Sequence, residues 1–187
     1  PFVASSILSS LTLNRSGASL ALSSNACIAN LGLVTITAGN ITSALNALGQ
    51  YDIGYANTTT LTTGSELNSS AVRHVTHSGS ATVNLAIDAL INGNLTINTN
   101  TFASGANDVS VAGNFVNNGT FTQSTGGLFT FQGSGAHTFN GSGTTTFDAL
   151  TVNGTVSVSN SATTTLTGNL VVNASSSLSA STGTFAF

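Results

Sequence analysis

Gly93-Asn94-Leu95-Thr96-Ile97-Asn98 returns as Gly113-Asn114-Phe115-Val116-Asn117-Asn118 and again as Gly168-Asn169-Leu170-Val171-Val172-Asn173, and the first step is 20 residues. A period in this range constrains a fold more than any single motif does. Each unit is too short to bury an apolar face alone and must stack on its neighbours. Thr144-Thr145-Thr146-Phe147 likewise returns as Thr163-Thr164-Thr165-Leu166, and Leu150-Thr151-Val152-Asn153 as Leu170-Val171-Val172-Asn173, with slips of a residue or so. Inside the period, Phe131-Gln132-Gly133-Ser134-Gly135 and Phe139-Asn140-Gly141-Ser142-Gly143 lie eight residues apart, the length of a short strand plus its turn.

Within each unit apolar and polar residues alternate, as at Phe129 and Phe131 or Leu150 and Val152, which places the apolar set on one face of a strand. Only Ser43-Ala44-Leu45-Asn46-Ala47-Leu48 carries helical spacing, read as a turn of helix or a loop excursion. Two all-β architectures absorb this pattern. An antiparallel β-sandwich is signalled by Asn118-Gly119, Asn140-Gly141 and Asn153-Gly154, each a hairpin-turn dipeptide. A parallel β-solenoid, or β-helix, would instead wind coils of about 20 residues, each lying about 4.8 Å above the last.

Charge favours the solenoid. Only 4% of the residues are charged, against the usual quarter. A charge repeated in every coil would face its own copy, and at about 4.8 Å that repulsion is about 1 kcal/mol even in water. Threonine, serine, asparagine and glycine, about half the chain, can stack as uncharged ladders. A sandwich also has no reason to repeat its sequence. The expected fold is therefore a single parallel β-solenoid over residues 1–187, with an irregular excursion at about 40–56. Phe115, Phe121, Phe129, Phe131, Phe139, Phe147, Leu150, Val152, Leu166, Leu170 and Val172 are its predicted inward residues.

Composition narrows function. Hydrophobic residues make up 40% and include ten phenylalanines, which argues against disorder. Lysine is absent and Arg15 and Arg73 are the only basic residues, so no patch exists to neutralise nucleic-acid phosphates. No run reaches the roughly 18 apolar residues that would indicate membrane insertion. Cys27 is alone, so no internal disulfide forms, and it reads as a small buried hydrophobe. The opening at Pro1, without Met, reads as a processed product or a piece of something longer.

Residues 119–153, from Gly119-Thr120-Phe121-Thr122-Gln123 through Gly143-Thr144-Thr145-Thr146-Phe147, resemble the repeats of very large secreted bacterial surface proteins, in the style of filamentous-haemagglutinin adhesins. Residues 59–98 resemble another unit of that class. The resemblance covers about two thirds of the chain and departs from the pattern between about residues 24 and 56. It implies secretion, a parallel β-helix, an extended body and an adhesive or scaffolding role. Cell-surface glycans are the partners it adds, and it carries no catalytic residue.

The candidate chemistry is sparse. His74 and His77, three apart on a strand, point to opposite faces and have no carboxylate or thiol cluster beside them. Asp52, Glu66, Asp88, Asp108 and Asp148 are scattered singly, and the glycines complete neither a nucleophile elbow nor a dinucleotide fingerprint. Nine Asn-x-Ser/Thr sequons, from Asn14 to Asn173, are in keeping with so much asparagine, serine and threonine. No enzyme activity, cofactor or metal is expected. Thr144–Thr146 and Thr163–Thr165 raise ice binding, although such runs occur only twice at this spacing and Thr58–Thr60 stand apart.

The ends carry the remaining expectation. An open solenoid must cover its terminal coils, and polar caps are the usual means. Here Pro1, Phe2, Val3, Ile7 and Leu8 at one end and Phe185 and Phe187 at the other are apolar. They are the predicted assembly residues, joined head to tail to copies of the chain or to flanking repeats. The expected role is a structural unit of an extracellular fibre or surface filament. The alternatives are an adhesin or carbohydrate-binding module and, third, an ice-binding solenoid.

Overall fold

A computed structural model describes residues 6–22, 26–67 and 69–187; Asn68, one of the nine sequons, and Pro1, Phe2 and Val3 of the expected N-terminal end lie outside them. The chain winds as a parallel β-solenoid of about nine coils, and every strand pairing among the described residues is parallel. One coil shows the plan. Leu95–Ile97 lies in a long sheet, Thr101–Gly105 in a seven-stranded sheet and Val109–Val111 in a five-stranded sheet. Phe115–Asn117 then returns to the long sheet beside Leu95–Ile97, with Leu95 opposite Phe115 and Ile97 opposite Asn117.

The hairpin dipeptides do not make hairpins. The strands give their backbone hydrogen bonds to neighbouring coils, so the turns join strands of different sheets. Gly141 shows what glycine does there. Its φ is +124°, and a Cβ at this position would run into the carbonyl oxygen of Asn117 in the coil below. Glycine thus serves a positive φ and a close approach between stacked corners.

The core is a set of columns parallel to the axis. Val34, Ile53, Val75, Leu95, Phe115, Phe139 and Val158 follow one another in register on the long sheet, each buried. Its middle is aromatic: Phe115, Phe121 and Phe129 face each other from the three sheets of one coil at centroid distances of 5.1–5.4 Å. Of the predicted inward residues, Phe115, Phe121, Phe129, Phe131, Phe139, Phe147, Leu150, Val152 and Leu166 are buried. Leu170 and Val172 differ. They continue the inner columns of the five-stranded sheet, opposite Leu150 and Val152, yet are 37% and 42% exposed, since among the described residues no coil lies over them.

Polar ladders hold the corners. His74 N–H donates to Asp52 Oδ1 (3.2 Å), Asn94 N–H to His74 Nδ1 (2.9 Å), Asn114 N–H to Asn94 Oδ1 (2.9 Å) and Thr138 N–H to Asn114 Oδ1 (2.8 Å). Each coil's side chain thereby accepts an amide that lies outside regular pairing. On the inside, the amides of Asn57, Asn117 and Asn160 donate to the carbonyls of Thr82, Thr144 and Gly143 at 2.9–3.1 Å.

The stretch at 43–48 contains bends and the two-residue strand Asn46–Ala47, and no helical turn. Tyr51–Tyr55 is a regular strand of the long sheet, so irregularity in the 40–56 region is confined to the residues before it. The one helical element among the described residues is the single turn Ser65–Leu67.

Candidate functional site: the coil ends and the outer faces

Of the end residues, the described Ile7 and Leu8 lie at one end of the stack and Phe185 and Phe187 at the other. At the first, Ser6–Leu20 pairs with Ala26–Ile41 and, among the described residues, with no other strand. Ile7 is 58% exposed, while Leu8 is half-buried against the core. Leu31, Leu33 and Leu48 add exposed apolar surface on these first coils, which the sequence reading did not single out. At the other end Phe185 sits half-buried opposite Thr164, at an inner position of the seven-stranded sheet. Phe187 is 84% exposed, and its ring stacks 6.1 Å from that of Phe185. Leu170 and Val172 join this end although the sequence places them in the core. Their alternation is that of core residues, and only the position of the coil in the stack exposes them.

The polar residues assemble differently from their sequence spacing. His74 lies on the outside of the long sheet; its Nδ1 accepts a hydrogen bond, which leaves the proton on Nε2. His77 is fully buried, donates Nε2–H to the Ala81 carbonyl at 3.0 Å and packs 6.4 Å from Phe102; burial lowers its pKa. His137 is buried too, with Nδ1 2.9 Å from the Gly113 carbonyl. Cys27 is half-buried, not enclosed. Asp88 and Asp108, which look scattered in sequence, stack on adjacent coils, with Asp108 N–H donating to Asp88 Oδ1 at 2.9 Å and Leu128 N–H to Asp108 Oδ1 at 3.0 Å. Backbone amides offset the repulsion between two like charges there.

Arg73 grips Asp52 through two hydrogen bonds of 2.8 and 2.6 Å, the one Lys/Arg–carboxylate ion pair among the described residues. Burial pushes Asp52 up, but the Arg73 guanidinium outweighs it and holds the carboxyl below its ordinary value.

The most enclosed polar cluster surrounds Glu66. This carboxylate is fully buried, takes the Gly64 N–H on both oxygens at 3.0 and 2.9 Å, and accepts the Tyr55 hydroxyl at 2.8 Å. The Tyr51 hydroxyl donates to the Glu66 backbone carbonyl at 2.8 Å. Burial raises Glu66 and pushes Tyr51 up to about 12. This cluster anchors the turn Ser65–Leu67 to the stack. Nothing in the sequence signals it, because Glu66 meets Tyr51 and Tyr55 only through the turn.

Among the described residues no three His, Cys, Asp or Glu side chains come together to hold a metal ion, and no helix is long and apolar enough to cross a membrane. Neither family models, nor curated proteins, nor solved structures give a match to this chain.

Proposed function

We propose that this chain is a structural unit of an extracellular fibre or surface filament, built by continuing its coil stack end to end. The observation that carries the reading is the last coil, where Leu170 and Val172, at inner positions, are 37% and 42% exposed beside the 84% exposed ring of Phe187. A further coil placed on this end, from a copy of the chain or from flanking repeats, would bury those side chains and pair the strand edges. Such contact is heterologous and does not close, so it propagates along the axis. The near absence of charge removes the repulsion that would keep two ends apart. The extracellular setting rests on the likeness of residues 119–153 to secreted surface-protein repeats.

Sedimentation velocity over a range of concentrations, with electron microscopy of the same samples, tests this. End-to-end rods that lengthen with concentration, and that vanish in the double variant Leu170→Asp, Val172→Asp with its β-sheet circular dichroism retained, are the expected result. A monodisperse particle of 18.5 kDa at every concentration would overturn it.

A further inference from the structure

The outer face of the seven-stranded sheet has a regularity that end-to-end stacking does not use. Thr101 is opposite Thr120, Thr120 opposite Thr144, and Thr163 opposite Thr184. Thr144 and Thr163 precede the paired Thr145 and Thr164, which closes an unbroken column of threonine over five coils. Two residues along each strand, Thr122, Thr146 and Thr165 form a second column in register, flanked by Ala103 and Ala186. The residue between the columns, Phe121, Thr145 or Thr164, is buried, so both threonines of each rung face outward.

We infer that this threonine face binds ice. The fold does not require the array. Among the described residues its hydroxyls have no hydrogen-bond partner, whereas the inward Thr145 hydroxyl is held by the Asn117 amide at 2.8 Å. Strand propensity alone would scatter threonine over all three sheets. Yet the outward column of the long sheet runs Thr35, Gly54, Thr76, Thr96, Val116, Asn140 and Ser159, and that of the five-stranded sheet Ser110, Thr130, Thr151 and Val171, with no more than two threonines adjacent in either.

Geometry names the occupant. Coils repeat at about 4.8 Å and rung partners lie about 6.7 Å apart along a strand. In tetrahedral water with hydrogen bonds of about 2.75 Å, second-neighbour oxygens lie about 4.5 Å apart. Each step between coils therefore departs from the lattice repeat by about 0.3 Å, about 1.2 Å over the four steps of the column, so the hydroxyls follow successive rows of lattice oxygens over a few coils at a time. Liquid water offers no such repeat, and ice does. β-Branching leaves each threonine few rotamers, so methyls and hydroxyls are held in a fixed pattern before contact. No charged group and no aromatic ring lies among these positions, which removes the competing hydration of ions and the stacking platform a flat sugar surface would use.

The test measures thermal hysteresis and adsorption of the fluorescently labelled full chain to a single ice crystal. Wild type is expected to shape and coat ice. Thr146→Lys and, independently, Thr122→Lys, each with an unchanged melting midpoint, should lose most of the hysteresis, while Thr151→Lys on the five-stranded sheet should retain it. Absence of hysteresis and adsorption in wild type would overturn the inference, as would equal loss in Thr151→Lys. Face-to-face dimers that dissociate in Thr146→Lys, without ice adsorption by wild type, would overturn it in favour of lateral contact between copies.

Discussion

Phe147→Ala is the sharpest probe of the aromatic core. The ring is fully buried, with its centroid 4.9 Å from Phe129, 5.7 Å from Phe121, 6.0 Å from Phe139 and 6.3 Å from Phe115. Losing the transfer free energy of the side chain costs about 2–3 kcal/mol. The second contribution is the void. Backbone hydrogen bonds tie this strand to Thr120–Gln123 on one side and Thr163–Leu166 on the other, so the walls cannot close in. An unrelaxed cavity of about 80–100 Å³ adds about 2 kcal/mol at about 24 cal/mol per Å³. The expected loss is about 4–5 kcal/mol, at the upper end for a large core truncation. Urea denaturation followed by far-ultraviolet circular dichroism measures it, with hydrogen exchange to show whether the coils on either side unfold together or separately. Phe187→Ala, the same change at a ring 84% exposed, is the control and should shift stability by no more than about 0.5 kcal/mol. A loss below about 1 kcal/mol for Phe147→Ala would refute the packing argument.

Three further outcomes follow from the same structure. Gly141→Ala should destabilise by about 2 kcal/mol or more, because it combines a strained φ with a Cβ directed at the Asn117 carbonyl; a neutral result in a thermal melt would mean that the corners are looser than described. His74→Asn should be nearly neutral, since Asn94 and Asn114 already fill the equivalent ladder positions, whereas His77→Ala should cost about 2–3 kcal/mol through lost packing and an orphaned carbonyl; equal effects in denaturant titrations would contradict this split. Glu66 has a folded-state pKa raised by burial above its ordinary 4.5, so its contribution is fully present below 4.5 and is lost as pH rises through the folded value. Replacing it by Gln should flatten that part of the stability–pH profile, and an unchanged profile would exclude Glu66 as its source.

The sequence by itself determined the architecture. A period near 20 residues, strict alternation and a 4% charge content are jointly compatible with stacked coils, since stacking repeats each side chain's environment and penalises repeated charge. It also marked the buried phenylalanines, because inward alternation needs no knowledge of which strand lies next door. The Asn-Gly dipeptides were ambiguous for the same local reason: a glycine that permits a hairpin also permits a tight corner between sheets.

What only the tertiary structure decided is which residues meet across coils. The spacing between register partners varies from 18 residues, Gly105 to Gln123, to 24, Phe115 to Phe139, so a fixed period slips out of step within a few turns. Thr101-Phe102-Ala103 and Thr184-Phe185-Ala186 do not read as threonine runs, yet interstrand register sets Thr101 and Thr184 in one column with Thr120, Thr144 and Thr163. Asp88 and Asp108 come into contact by the same stacking, and Glu66 reaches the tyrosines through a turn without periodicity. Leu170 and Val172 carry the pattern of core residues and become end surface because burial depends on the next coil being there, a property of the stack that no alternation along one strand encodes.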